Sequence, residues 1–594
     1  MIRRGIFGIL VTLALGVGSV WAFTREELAT GLPFAWNLAA YDRSAGNLPD
    51  QNPTTLAIRY RLAVEGAGHG NSSNELNNVR AAFAQWAAIP GTKIHFEEAG
   101  YVTNATKFDP YDGQTQLIWL PFGQTHSGGS VYGNIFFPAG AYAFTFLGGW
   151  DNGLITEADI VFNQNTFYQT DFLSTDQSGP FMESVALHEI GHLLGLNHAV
   201  LGGATMFWQQ PPKVSAIAGL SSDEIAGART LYGTAASNVL FGLITGHVTV
   251  GGVAVLGAVV VAEDANGNIS ESGLSGSDGA FDLPSLPPGT YNLRVTPLDV
   301  KTSATQSSDT YLVSGYDIDV TGNQSYAKAN TSFLPTIVPV SVTAGNVTTR
   351  EIAVVSGDEP FRITEIRSTL IRDGRSSGDI CVQIAQGQTN AWVGVFVPAL
   401  PTTNAILQVT GTGLTVGPTR VVSPALRGMT LVEAPVNVAS NAVPGLRSIA
   451  VQANGFTTWA NGFVEVLPPF PDFNFDGLDD VFQRKYFSPF TRAEAAPTAD
   501  PDGDGLINSR EYAQGTDPTD PRQRILSIVL NGSGTTIVWR SGPGHRYQVW
   551  SRDNIASAAW LKLGPPVTAS GETMTFLDSR PSTTIRFYQV GDPP

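Results

Sequence analysis

Cysteine, basic residues and long apolar runs are all scarce in this sequence of 594 residues. Cys381 is the only cysteine, which excludes an internal disulfide. Charged residues make up 14% of the chain, against roughly 25% in average domains, and 34 Lys and Arg stand against 51 Asp and Glu. Because phosphate binding needs clustered Lys and Arg, this balance argues against nucleic acid as a partner. The acidic excess suits an exported protein that holds cations.

The N-terminus predicts export. Arg3 and Arg4 precede an apolar run that ends near Val20, and Ala22 offers a small residue where a signal peptidase cleaves. The run has about 15 residues, whereas a membrane span needs roughly 20. We therefore expect residues 1–22 to be a signal peptide cleaved after Ala22, rather than an uncleaved anchor. The mature protein is then secreted and extracellular, without a membrane span.

The residue pattern changes along the chain, which is long enough for about three to five domains. Residues 23–235 combine alternating apolar positions with helical spacing, which predicts an α/β domain with a twisted sheet and helices. Residues 240–357 and 358–467 are rich in Val, Thr, Ser and Gly, which predicts two β-sandwich modules. An acidic segment at 468–522 and a small C-terminal β module at 523–594 follow. The predicted fold class is multidomain, α/β followed by all-β sandwich modules.

Local signals place the helices of the first domain. Ser72 with Glu75 and Ser221 with Glu224 have the spacing of a capping box. A third helix is expected to run from about residue 180 to 194, with Gly195 as its C-terminal stop.

Three of the eight histidines lie between residues 188 and 198. His188 and His192 are four residues apart, so a helix places both on one face, where two neutral imidazoles can bind one Zn²⁺. Glu189 stands beside them and can take a proton from the attacking water and pass it to a leaving amine. Gly195 can turn the chain back, so that His198 becomes the third ligand and the fourth position stays open, as in a catalytic zinc site.

A bare His-Glu-x-x-His could be an ordinary helix surface. Five fixed residues over the full motif, however, would arise by chance in this chain on the order of 10⁻⁵ times.

These residues resemble the metzincin zinc endopeptidases, whose signature is H-E-x-x-H-x-x-G-x-x-H followed by a turn that contains a methionine, here Met206. The stretches 158–163 and 220–233 are most similar to the matrixin branch, and the resemblance covers about residues 30–233. It implies a metzincin-like twisted sheet over helices, a zinc ion held by His188, His192 and His198, Glu189 as general base, and Met206 packed beneath the metal.

Three departures narrow the resemblance. Trp208 stands where astacin-like and serralysin-like relatives place a metal-binding tyrosine, so those branches are disfavoured. No cysteine precedes the domain, so the cysteine-switch latency of matrixins is not expected. The additional histidines of a second, structural zinc are missing, and we interpret His126 as a surface loop residue.

The acidic segment contains a twelve-residue loop from Asp500 to Glu511 that predicts structural Ca²⁺. Gly505 occupies the turn position, and oxygen donors fall at the expected spacing on Asp500, Asp502, Asp504, the carbonyl of Leu506, Asn508 and Glu511. The alternative is a solvated acidic turn. A weaker second loop consists of Asp472, Asn474, Asp476 and Asp480, with Gln483 at position 12. The segment resembles thrombospondin type 3-like or dockerin-like calcium segments.

The sequence patterns of the β modules indicate function less specifically than the two metal-binding motifs do. Residues 240–357 resemble the carboxypeptidase regulatory-like sandwich, in which His247 is expected to be a strand residue, and residues 358–467 resemble an immunoglobulin-like sandwich. Four aromatic residues of the last module either fill its core, the interpretation we favour, or form a carbohydrate platform: Trp539, Tyr547, Trp550 and Trp560.

The sequence thus predicts a secreted zinc endopeptidase with a protein or peptide substrate. A rival hypothesis is a noncatalytic adhesion protein that binds a cell-surface or matrix polymer through its β modules and retains a vestigial protease scaffold. A peptidase confined to chain ends is a third. The intact Glu189 favours catalysis, because a pure scaffold does not need it.

Overall fold

The computed structural model describes residues 7–10, 33–41, 48–104, 108–109, 112–127, 134–149, 152–174, 179–207, 218–298, 329–368, 381–402, 404–425, 429–520, 525–541, 544, 546–554, 559–571, 573–580 and 585–591. The chain divides into two compact units, Met1–Asn474 and Phe475–Pro594. No helix in these ranges combines the length and the apolar character needed to cross a membrane.

A six-stranded sheet with the order β1-β7-β8-β4-β2-β3 forms the base of the α/β region. The strands of this region are β1 (Phe7–Leu10), β2 (Ile58–Ala63), β3 (Phe96–Val102), β4 (Gln116–Leu120), β5 (Thr125–Ser127), β6 (Asn134–Phe136), β7 (Ala143–Gly149) and β8 (Ile155–Asn163). Strands β3, β2, β4 and β8 are parallel, whereas β7 is antiparallel to β8. Strand β1 lies within the predicted signal peptide, so its removal would leave β7 as the sheet edge.

The described residues of this region include four helices: α1 (Ser72–Ala87), α2 (Met182–Leu193), α3 (Ser222–Tyr232) and α4 (Ala235–Asn238). Every residue of α2 is buried, because α1 covers one side and the sheet the other. Two polar contacts fix α1 on α2: the indole of Trp86 donates to the carbonyl of Leu187 at 3.0 Å, and Gln85 donates to Glu183 at 2.5 Å. The site helix is therefore held inside the domain.

The capping predictions had different outcomes. Ser221 and Glu224 form the expected capping box at the start of α3, so that prediction is confirmed. The prediction for Ser72 and Glu75 is wrong, because neither side chain caps α1. Glu75 instead accepts a hydrogen bond from the amide of Ala67 at 2.8 Å, so the preceding loop takes the carboxylate that a capping box would use.

The region after α4 is β-rich, as expected. Residues 240–357 contain β9 (Gly242–Val250), β10 (Val253–Ala254), β11 (Ala258–Asp264), β12 (Ile269–Leu274), β13 (Ala280–Leu286), β14 (Gly289–Pro297), β15 (Phe333–Leu334), β16 (Thr336–Val342), β17 (Val347–Thr349) and β18 (Ile352–Ser356). One sheet is built around β9, and the other has the order β12-β11-β14-β16. His247 lies on β9, as expected, and its ring nitrogen contacts Glu351 at 3.2 Å.

The next module is a second pair of sheets. Its strands are β19 (Glu365–Ser368), β20 (Val382–Ala385), β21 (Ala391–Val397), β22 (Ile406–Val409), β23 (Leu414–Val416), β24 (Arg420–Val422), β25 (Thr430–Val438), β26 (Gly445–Ala453) and β27 (Phe456–Leu467). One sheet is organised around β25 and β21, and the other has the order β20-β27-β26-β22. Alternating aliphatic side chains from both sheets form its core.

The second compact unit begins with short helices and ends in two three-stranded sheets. Its elements are α5 (Asp480–Tyr486), a 3₁₀ turn (Ala493–Ala495), α6 (Asn508–Gln514), β28 (Ile525–Asn531), β29 (Gly534–Arg540), β30 (Arg546–Arg552), β31 (Leu561–Thr568), β32 (Thr573–Asp578) and β33 (Phe587–Gly591). Trp539 and Tyr547 are buried in its core, as favoured, with ring centroids 5.9 Å apart. Trp550 and Trp560 are half-buried.

Asp578 is the electrostatic centre of this β module. Its carboxylate accepts hydrogen bonds from Arg580 at 2.8 Å, Arg586 at 3.0 Å and Tyr588 at 2.9 Å, and only 3% of the side chain is exposed. The hydrogen bonds from Arg580 in particular hold the pKa of Asp578 well below its usual range.

We expect Asp578→Asn to lower the free energy of unfolding of this unit by about 2–4 kcal/mol at pH 7, because two guanidinium groups lose their counter-charge. A carboxylate whose pKa is lower in the folded state than in the unfolded state contributes stability at pH values above the unfolded pKa. This contribution is lost as the pH falls through the folded pKa. The difference between variant and wild type should therefore shrink at pH 3, measured by urea unfolding. Asp553→Asn, at the exposed partner of Arg586, is the control and should change stability little. An equal deficit at both pH values would contradict this account.

Candidate metal centres

The three predicted zinc ligands come together as the motif requires. His188 and His192 lie on α2, and His198 follows the turn that ends it. One nitrogen from each ring lies within 4.8 Å of the others, and the Nε2 atoms of His188 and His192 are 3.2 Å apart. Tetrahedral ligands at about 2.0 Å from one zinc ion are roughly 3.3 Å apart, so this spacing fits a shared zinc.

Backbone carbonyls orient two of the rings. His188 Nδ1 lies 2.8 Å from the carbonyl of Thr205, and His192 Nδ1 lies 2.8 Å from the carbonyl of Leu196. A carbonyl only accepts, so each Nδ1 carries the proton and each Nε2 keeps its lone pair for a metal. Two lone pairs this close repel each other unless a cation lies between them. The donor set therefore fits the zinc that the sequence predicts.

Burial keeps the three imidazoles neutral. Desolvation lowers the pKa of His188 to about 4, and desolvation together with the neighbouring His188 lowers the pKa of His192 to about 3. Burial also lowers the pKa of His198 well below its usual value. Neutral imidazole is the form that binds a metal, so all three rings are ready to bind at pH 7.

Glu189 lies beside the histidines and is held by a residue that sequence reasoning missed. The hydroxyl of Thr145 on β7 donates to Glu189 Oε2 at 2.5 Å. Burial raises the pKa of Glu189 to about 7, and the hydrogen bond from Thr145 opposes this rise. Thr145 is the one hydroxyl-bearing residue in a strand of Phe, Leu, Ala and Gly, which is the only local signal of its role.

Met206 packs against the backbone of α2. A Cβ added to Gly191 would lie 2.2 Å from the sulfur of Met206, so a larger residue here would displace the methionine side chain. The amide of Met206 donates to Glu224 Oε1 at 2.9 Å. Glu224 thus caps α3 and anchors the methionine turn at the same time, and the second task is not visible in the sequence.

Gly195 has the left-handed conformation that the sequence predicts, with φ of 87°. A Cβ at this position would also lie 2.1 Å from the carbonyl oxygen of Phe34. Both the backbone angle and the close packing therefore require glycine between the helix and His198.

A second group of metal-ligand type lies in the acidic segment. One oxygen from each of Asp500, Asp502 and Asp504 lies within 4.8 Å of the others. Three buried side-chain oxygens at this loop have no hydrogen-bond partner: Asp502 Oδ2, Asn508 Oδ1 and Glu511 Oε2. Desolvation together with nearby aspartates raises the pKa of Glu511 to about 8. Oxygen-only donors that repel one another fit the predicted calcium ion.

The second predicted calcium loop is a poorer fit. The boundary between the two compact units falls inside it, after Asp472 and Asn474. At position 12 the amide nitrogen of Gln483 donates to Asp476 at 2.7 Å and to the carbonyl of Ala495 at 2.9 Å. At position 12, where calcium needs an oxygen ligand, the chain therefore presents a nitrogen donor that contacts Asp476. Asp480 is buried. This second site stays a prediction.

Two further predictions concern His126 and Trp208. His126 lies on β5 and not in a loop; it is half-buried, with Nε2 2.7 Å from the carbonyl of Pro121. In the described ranges, the zinc and calcium groups above are the ones in which three or more metal-binding side chains converge, and His126 belongs to neither. Trp208 lies outside the described residues.

Comparisons with known proteins agree with the zinc centre. Residues 52–233 match the family model described as Matrixin. The chain is 28% identical to Metalloendoproteinase 4-MMP of Arabidopsis thaliana, over 30% of this chain and 46% of that protein. It is 32% identical to Metalloendoproteinase 1-MMP of the same plant, over 27% and 39%. The chain thus spans less than half of the length of these curated relatives.

Solved structures add no argument about the fold. The S-layer protein SbsC domains 4 and 5 share 15% identity with this chain, with coverage of 35% of this chain and 77% of that one, at a TM-score of 0.12.

We expect Gly195→Ala to lower the free energy of unfolding by at least about 2 kcal/mol and the zinc affinity roughly tenfold, because the turn that carries His198 must move. Thermal unfolding and competition with a chromogenic chelator measure the two effects. Gly113→Ala is the matched control: it has φ of 76° in the same domain, but open space around its Cβ. Equal zinc affinities in the two variants would refute the role assigned to Gly195.

Proposed function

We propose that this protein is a secreted, zinc-dependent metalloendopeptidase that hydrolyses peptide bonds in protein substrates, with Glu189 as general base and acid. The observation that carries the proposal is the convergence of three neutral imidazole nitrogens beside one buried glutamate. The matrixin match over residues 52–233 supports the same activity.

A zinc ion bound by His188, His192 and His198 would supply a Lewis acid for the scissile carbonyl and lower the pKa of a water molecule toward about 7. The three rings are held neutral by burial and are aimed by the carbonyls of Thr205 and Leu196. The chain thus provides a rigid three-nitrogen platform with no net charge of its own.

Glu189 is the residue that moves the proton. It can accept a proton from the attacking water and later donate one to the leaving amine, and burial raises the pKa of its carboxyl group, which favours the protonated form needed for the second step. Thr145 fixes the direction of one carboxylate oxygen, so Oε1 is the atom left for this transfer.

Strand β7 supports cleavage within a chain rather than at its ends. The hydrogen bond from Thr145 places β7 beside Glu189. Removal of residues 1–22 would take away β1, the neighbour of β7, and leave the backbone amides and carbonyls on that edge of β7 free to bind a peptide. An extended peptide can add to such an edge by main-chain hydrogen bonds, which need no chain terminus. Binding of a surface polymer by the β modules stays a prediction.

The acidic segment is proposed to bind one structural calcium ion through Asp500, Asp502, Asp504, Asn508 and Glu511, with the carbonyl of Leu506 as the expected sixth ligand. The buried, unpartnered oxygens of Asn508 and Glu511 support this assignment, because such atoms are costly unless a cation or a donor satisfies them.

To test catalysis, Glu189→Gln should reduce cleavage of a denatured protein substrate by at least about 100-fold, because the neutral amide cannot accept the proton. Zinc content should stay near one ion per chain, since Glu189 is not a ligand. The control is Glu183→Gln, the same change on the same helix, which keeps an acceptor for Gln85 and should retain activity within about threefold.

Equal cleavage by Glu189→Gln and wild type would reject the mechanism. Wild type that holds zinc but cleaves no protein would instead favour the adhesion hypothesis, in which the protease scaffold is vestigial.

To test calcium binding, 1 mM Ca²⁺ should raise the unfolding temperature of wild type by several degrees, because binding to the folded state alone stabilises it. Glu511→Gln should abolish most of this shift. Glu494→Gln is the control in the same segment, at an exposed residue paired with Arg492, and should keep the full shift. Calcium titration with differential scanning calorimetry measures it. A full shift in Glu511→Gln would contradict the site.

A further inference from the structure

The loop between His198 and Met206 is covered by the immunoglobulin-like module. The amide of Gly202 donates to the carbonyl of Asn461 at 3.3 Å, and the amide of Gly203 donates to the carbonyl of Gly462 at 2.8 Å. The loop is thus hydrogen-bonded to β27, far along the chain.

Side-chain packing reinforces these bonds. Phe207 is buried within the core of the immunoglobulin-like module, and its ring lies edge-on to that of Phe463, with centroids 5.8 Å apart. Leu201 is fully buried, and Gly462 approaches it so closely that a Cβ there would lie 2.8 Å from the Cβ of Leu201. The two domains therefore share one core at this loop.

The consecutive glycines of the loop are explained by this contact. A Cβ at Gly202 would lie 2.1 Å from the ring of Phe463. A Cβ at Gly203 would lie 2.5 Å from Leu446 Cδ2 and 2.8 Å from Cys381 Sγ. At both positions a Cβ would displace side chains of the module, because the module lies directly against the loop backbone.

The preceding module supports the same loop indirectly, through Asn461 and through α3. Arg294 on β14 donates to the side chain of Asn461 at 3.1 Å. It thereby fixes the residue whose backbone carbonyl accepts the hydrogen bond from the amide of Gly202. Ser272 on β12 donates its amide to the buried Asp223 at 2.7 Å, beside Glu224, which holds the amide of Met206.

The loop in turn positions the zinc centre. Its Thr205 carbonyl accepts the Nδ1 proton of His188, and the amide of Ala199 donates to the carbonyl of Met206 at 2.8 Å, which closes the loop next to His198. A shift of the loop would therefore move the acceptor that orients one ligand and the attachment of another.

We propose that the immunoglobulin-like module is a positioning part of the zinc centre, acting through Phe463 and the β27 backbone on the loop 199–207. This inference rests on the zinc site of the proposed function, and it assigns the module a role in the protease itself. Removal of the loop's support should loosen the orientation of His188, and loss of such a supporting hydrogen bond typically costs about 10–100-fold in metal affinity.

The test measures zinc affinity of the full-length protein with zinc alone, by competition with a chromogenic chelator. Phe463→Ala removes the ring against Gly202 and Phe207, and Gly203→Ala pushes the loop away from Leu446. Each should weaken zinc binding about tenfold or more. The milder Gly203→Ala keeps the test available if Phe463→Ala fails to fold.

Matched controls separate this contact from general instability. Val395→Ala truncates a core residue of the same module in the opposite sheet, on β21, and should lower the unfolding temperature but change zinc affinity less than twofold. Gly140→Ala adds a methyl group in the protease domain where no atom lies within 4 Å, and should change neither.

Wild-type zinc affinity in both Phe463→Ala and Gly203→Ala would overturn the proposal, as would an equal loss in Val395→Ala. Peptide cleavage is measured in parallel. If the variants lose zinc affinity although wild type cleaves no peptide, the positioning role holds and the proposed peptidase activity fails.

Discussion

The meeting of three uncharged imidazoles at one buried point is the constraint on which the rest of the α/β domain depends. Two Nε2 atoms held 3.2 Å apart are repulsive by themselves, so the fold must impose their approach. It does so with the carbonyls of Thr205 and Leu196, which fix the ring orientations, and with burial, which keeps the rings neutral. Every residue of helix α2 is buried, which keeps the histidines on it away from water.

The supports of this point come from separate parts of the chain. Glu224 caps α3 and holds Met206, Met206 packs on Gly191 of α2, and Thr145 reaches Glu189 from β7. Each contact joins a different element to the site helix. The centre is therefore better described as a junction of the whole domain than as a motif on one helix, and its geometry depends on how those elements pack.

The β modules of the first compact unit extend this junction. Phe207, a residue of the α/β domain, is buried in the core of the next module but one, and Arg294 links the two sandwiches at Asn461. The acidic loop of the second unit is local by contrast, because its three converging aspartates lie within one short stretch of chain. The protein thus combines one site built from distant segments with one built from neighbours.

The sequence by itself determined the local features: the face shared by His188 and His192, the turn at Gly195, the capping box at Ser221 and the calcium-type loop. Helical periodicity, left-handed glycine geometry and ligand spacing act within a few residues, so the pattern of the chain carries them. Tertiary structure alone decided the roles of Thr145, the second task of Glu224 and the contact of Phe463 with the loop. These depend on which surfaces pack together across long sequence separations, and the same competition for a buried partner diverted Glu75 from its expected cap to the amide of Ala67.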